Sequence, residues 1–117
     1  QLGVGARYGS GEETDLLLWC LSKNARCFCD GTYYIHHPYK RTQAIDVSRS
    51  YKYALGYGAL MKKALCVYHF HFVLWKFLLA LAKNCAGIIC SPRRRHHLFA
   101  LKGKIVGFCS YKNKERA

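Results

Sequence analysis

Acidic side chains are what this sequence has least of. Six Asp and Glu stand against 19 Lys and Arg, for a formal net charge of +13, and no acid lies between Asp46 and Glu115 while 13 basic residues do. Such a chain repels itself and is more stable against an anionic partner, so nucleic acid and anionic membrane lead and an acidic protein trails. Paired CxxC spacing is also missing: the seven cysteines fall at 20, 27, 29, 66, 85, 90 and 109. Cys20, Cys27 and Cys29 could begin a zinc site, but the second ligand pair that structural zinc needs is not there. Reduced, buried thiols are the expectation, with no metal. Nothing brings a nucleophile, a base and an orienting group together, although Asp46 and Cys90 could each partner a histidine. No catalytic activity, cofactor or small-molecule substrate is expected. No signal peptide is visible, and a start at Gln1 without methionine leaves room for the expectation that a targeting segment was removed.

Apolar content is ample. Hydrophobic residues make up 51% of the 117 and aromatics 15%, enough for one folded domain. Residues 1–13 are glycine-rich and read as a flexible N-terminal arm, leaving 14–117 as a single domain. A short helix over 14–22 is expected, with Thr14 as its cap. The Asp30-Gly31 turn leads to a strand at 32–35, then a basic loop, then a strand at 43–47. From Ser48 a helix carries Tyr51, Leu55, Gly58, Met61 and Leu65 on one face, with Gly56 and Gly58 allowing close approach to a sheet. CVYHFHFVL (66–74) reads as a strand whose His69 and His71 share one buried face. A helix over 75–85 follows, with Leu74, Phe77, Leu78, Leu81, Ala82 and Cys85 as its apolar stripe. GIIC (87–90) reads as a buried strand, Ser91-Pro92 opens a helix that Gly103 closes, and KIVGFCS (104–110) is the last strand. Strands alternating with helices predict an α/β fold: a three-layer, flavodoxin-like domain with a mainly parallel five-stranded sheet.

Three stretches carry a resemblance to a known family. YYI…QAIDVSRSYKYAL is similar to the segment of small-subunit ribosomal protein two in which a YI strand leads through a basic loop to an IIDL-type strand and a helix, Asp46 standing at the family aspartate. KFLLALAKNCAG resembles that family's helix ending in an A-x-x-C-G-like turn. IICSPRRRHHLFALKGKIVGFCSYKN resembles its strand–DPR–helix–IP–strand–CDT segment, with Ser91 and Ser110 where the family has aspartates. The RW-L-GG-TLTN stretch and the helical hairpin have no counterpart here. The resemblance implies a reduced, divergent member of the small ribosomal subunit, most readily a mitochondrial one, with plastid and cytoplasmic ribosomes as alternatives. Its implied partners are ribosomal RNA and neighbouring small-subunit proteins.

The candidate RNA-binding residues come from the charge pattern. Arg93, Arg94, Arg95, His96 and His97 sit where a strand is expected to end and a helix to begin, a place where backbone N–H groups and arginine forks can hold phosphate. His36, His37, Tyr39, Lys40 and Arg41 form a second basic, ring-bearing loop suited to stacking on bases. Lys112 and Lys114 complete the set. The rival expectation is a small membrane-embedded subunit of an organellar complex with a span near 64–82. Those nineteen residues are close to what a bilayer needs, but His69, His71 and Lys76 interrupt them. Lys76 in hydrocarbon would cost on the order of 3 kcal/mol.

Overall fold

The computed structural model describes residues 2, 6–28, 30–32 and 46–112. Four helices account for the regular structure there: α1 (Glu12–Ser22), α2 (Val47–Cys66), α3 (Phe72–Cys90) and α4 (Arg94–Ser110). The described residues contain no sheet, only an isolated bridge between Leu2 and Tyr8. The expected α/β, flavodoxin-like domain with a parallel five-stranded sheet is therefore wrong, and the molecule is all-α. Of the expected strands at 32–35 and 43–47, residues 33–35 and 43–45 lie outside the described residues, while Thr32 lies in a turn and Val47 begins α2.

Each misread strand has a local reason. CVYHFHFVL alternates aromatic and polar residues as a strand would, yet it holds the end of one helix, a turn and the start of the next. His69 takes φ 58°, a left-handed conformation that breaks the helical path and that histidine adopts more readily than most residues. The rings close the turn on themselves, Tyr68 lying 6.3 Å from Phe70 and Phe70 5.8 Å from Phe72. His69 and His71 are exposed rather than buried. GIIC simply continues α3, because only Pro92 stops it. The residue before a proline is pushed to extended backbone, and Ser91 sits at φ −94°, ψ 142°. Gly103 does not close α4. It lies inside the helix, which runs on through the expected last strand.

The helix starts follow local chemistry. Asp46 caps α2, its side chain accepting from the Ser48 backbone N–H at 3.2 Å. Gly11, at φ 94°, opens α1, so Thr14 is an interior residue and not the cap. Glu12, Glu13 and Asp15 in the first turn of α1 suit the positive end of its dipole. The Ser91 hydroxyl accepts from the Arg93 backbone N–H at 3.1 Å, so Ser91-Pro92 does mark the entry to α4.

The tightest packing is backbone on backbone. A Cβ placed on Gly58 would fall 2.8 Å from the Phe108 nitrogen, one on Gly103 2.6 Å from the Tyr51 carbonyl, and one on Gly107 3.0 Å from the Ala59 nitrogen. Glycines thus let α2 and α4 touch directly, where a sheet had been the expected partner. Gly56 packs against Ser10. Around this seam Leu18, Leu60, Met61, Ala64, Val73 and Phe77 form the core, with Phe77 stacked on Phe108 at 4.7 Å. Ahead of α1, Tyr8 is buried and its hydroxyl lies 3.2 Å from the Ser110 hydroxyl. α1 is held more lightly. Asp15 bridges to Lys63 at 2.7 Å and accepts from the Tyr68 hydroxyl at 2.9 Å.

Candidate membrane-facing surface

Large apolar side chains are mostly outside this core. Among the described residues fifteen large hydrophobics are exposed, and no large side chain is completely buried. Six of the fifteen lie on α3, more than on any other helix, and only 17% of that nineteen-residue helix's most apolar stretch is buried inside the molecule. Successive residues lie about 100° apart around a helix, so the direction of each side chain follows from its number. Val73, Phe77 and Asn84, with the half-buried Ala80, Leu81, Gly87 and Ile88, face α2 and α4. Leu74, Trp75, Leu78, Leu79, Ala82 and Ile89 face away from them, Trp75 at 64% and Ile89 at 72% exposure. The stripe expected to be the core is therefore split. Phe77 and Leu81 point inward, whereas Leu74, Leu78, Ala82 and Cys85 are exposed.

A row of cations runs along one edge of this apolar face. Lys76 and Lys83, seven residues apart, share that edge and are both exposed. Lys104 of α4 reaches the same edge, donating to the Ala80 carbonyl at 3.2 Å with its ammonium 5.4 Å from the Tyr57 ring. Burial, and then the charge on Lys83, pushes the Lys104 ammonium below its ordinary 10.5. Asn84 lies one turn beyond Ala80, 7% exposed, its side-chain nitrogen buried without an acceptor. In the sequence Lys76 counted only as a charge against a span, and Lys83, Lys104 and Asn84 carried no role, because their significance depends on which face of α3 turns inward.

The arginine turn sits at the far end of the same helix. Arg93, Arg94 and Arg95 are exposed, and Arg94 and Arg95 form the first turn of α4, where two cations oppose the dipole. His96 and His97 turn inward instead. The His96 Nδ1 lies 3.0 Å from the Ser50 hydroxyl, and the His97 ring packs over Gly87, filling the space a Cβ would take. Lys112 is exposed just past α4. His36, His37, Tyr39, Lys40, Arg41 and Lys114 lie outside the described residues.

The six described cysteines are free thiols, and all but the half-buried Cys20 are exposed, so the burial expected of them is not found. No group of three or more His, Cys, Asp or Glu among the described residues could hold a metal ion. Comparison with family models, with curated proteins and with solved structures finds no match to this chain.

Proposed function

We propose that the protein is a peripheral membrane protein that lies on an anionic bilayer through the outward face of α3. One observation carries the reading: a long apolar helix whose bulky side chains are left uncovered, bordered by Lys76, Lys83 and the Arg93–Arg95 turn. An apolar face with a cationic border is the pattern of an interfacial helix. Seating five such side chains in the acyl boundary recovers on the order of 5 kcal/mol, and each lysine or arginine at an anionic surface adds about 1 kcal/mol.

Lying on the bilayer fits this fold better than crossing it. Residues 64–82 are not one helix, because the turn at 67–71 divides them. α3 is also packed along α2 and α4, which carry Arg49, Lys52, Lys62, Lys63, Lys102 and Lys104. Crossing would drag these charges into hydrocarbon at roughly 3 kcal/mol each, or strip α3 from its partners. The test is flotation of the full chain with vesicles of phosphatidylcholine, with and without phosphatidylserine. The protein should rise with the anionic vesicles and be released by carbonate washing. Retention after carbonate would favour a span, and failure to rise with either vesicle would remove the membrane reading.

The exposed arginine turn favours a second reading, the RNA-binding constituent of a small, mitochondrial-type ribosomal subunit. RNA would neutralise the charge but would leave the outward face of α3 uncovered, and it therefore ranks second. Co-sedimentation with small ribosomal subunits at high salt, without lipid, is the outcome that would reverse the order.

A further inference from the structure

We infer that the lysine edge of α3 is a seat for the phosphate of an anionic phospholipid, formed by Lys83 and Lys104 and bordered by Asn84. The inference rests on the membrane reading and names the lipid group that the surface takes. Three observations bear on this edge. Lys104, a half-buried cation, has a carbonyl and a ring as neighbours, and no anion pairs with it among the described residues. Lys83 lies three residues beyond Ala80, the residue whose carbonyl Lys104 contacts, which places the two ammonium groups on the same stretch of helix surface. Asn84, next in the chain and more than nine-tenths buried, holds a donor that nothing accepts from. Unsatisfied buried donors are rare in folded proteins and call for an acceptor.

A phosphate diester oxygen at this edge accepts from both ammonium groups and screens their mutual repulsion. The charge on Lys83 is one of the causes that depress Lys104, and an anion between them would reverse that influence. The position suits a lipid and not only an ion. Lys83 borders the face that carries Leu79 and Ala82, so a phosphate held here leaves its acyl chains lying along the outward side of α3. Lys76, one edge position towards the N-terminus, would meet a neighbouring headgroup.

The unaltered chain and three variants would be titrated with phosphatidylcholine vesicles carrying phosphatidylserine, with helicity checked for each. Lys83→Gln, at an exposed position, should keep the fold and weaken vesicle binding more than about tenfold, the loss expected for a charge-assisted hydrogen bond. Lys104→Met should do the same if it folds. Lys52→Gln removes an equal charge from an exposed site on α2 and should cost about fivefold or less. Equal losses for Lys83→Gln and Lys52→Gln would overturn the seat while leaving the membrane reading intact. Absence of wild-type binding to any vesicle would instead sink the membrane reading itself. In a final arm, inorganic phosphate competes with vesicles at matched ionic strength. Displacement by phosphate but not by chloride, with phosphate binding in the absence of vesicles, would assign the seat to free phosphate and overturn the lipid assignment.

Discussion

At the scale of single residues, the glycines of the α2–α4 seam have the least room. Gly58 and Gly107 lie inside helices, where alanine would ordinarily gain about 1 kcal/mol, yet a Cβ at either meets backbone that cannot rotate aside. Gly58→Ala is therefore expected to destabilise by roughly 1–3 kcal/mol, measured by urea denaturation, against the direction that helix propensity alone gives. Asp46 makes a pH prediction. Hydrogen bonds from the Ser48 hydroxyl, and then from its backbone N–H, hold the Asp46 carboxyl below its ordinary 3.8. The folded chain thus binds this proton less readily than the unfolded chain does. The contribution to stability is complete above the ordinary value and is lost as pH falls through the lower folded one. Asp46→Asn, which keeps an acceptor but does not titrate, should flatten the loss of α2 helicity below about pH 4 seen by circular dichroism. In the sequence Asp46 falls inside the strand expected over 43–47, with the helix opening at Ser48, so its role as the cap of α2 was missed. Its neighbours 43–45 lie outside the described residues, so the strand expected there has no counterpart to set beside it.

At the scale of elements, the existence of helices was easier to read than their extent or their facing. The entries near Ser48 and Ser91 were visible because capping chemistry is local. The strands at 66–74, 87–90 and 104–110 were misread because a short apolar run rich in aromatic and β-branched residues looks alike in a strand and in a buried helical turn. What decides between them here is tertiary. Gly103 and Gly107 are tolerated inside α4 because α2 needs the space they leave. The facing of α3 was misjudged for a related reason, since most of its positions are apolar and hydropathy alone does not single out one side. α1 depends on the Asp15–Lys63–Tyr68 cluster. Removing the charge in Asp15→Asn should loosen α1 by about 1 kcal/mol, a small figure because the pair is partly in water. Limited proteolysis should then cut within 12–28 before the rest of the chain. Unchanged cleavage would show that Leu18 alone keeps α1 in place.

At the scale of the whole molecule, the core is thin for the number of apolar residues, and the charge is nearly all of one sign. Phe77 joins three helices, stacking on Phe108 at 4.7 Å and lying 6.3 Å from Tyr57. Phe77→Ala should cost about 3–5 kcal/mol and broaden or abolish the thermal transition. The net charge of +13 is read directly from the sequence. The uncovered apolar side chains were not legible there, because only the packing of α3 shows which of its faces is left outside. Association with anionic vesicles should weaken as salt rises, but a salt-resistant remainder should persist from the apolar face. Binding abolished entirely by salt would mean that the face takes no part. The glycine seam also has a consequence in time. Its amides sit where two backbones exclude water, so hydrogen exchange in 54–61 and 103–108 should be the slowest in the chain, and α1 should exchange early. Stretches some fifty residues apart in sequence would then open as one unit, and the surface offered to lipid could come and go without the molecule losing that last closed piece.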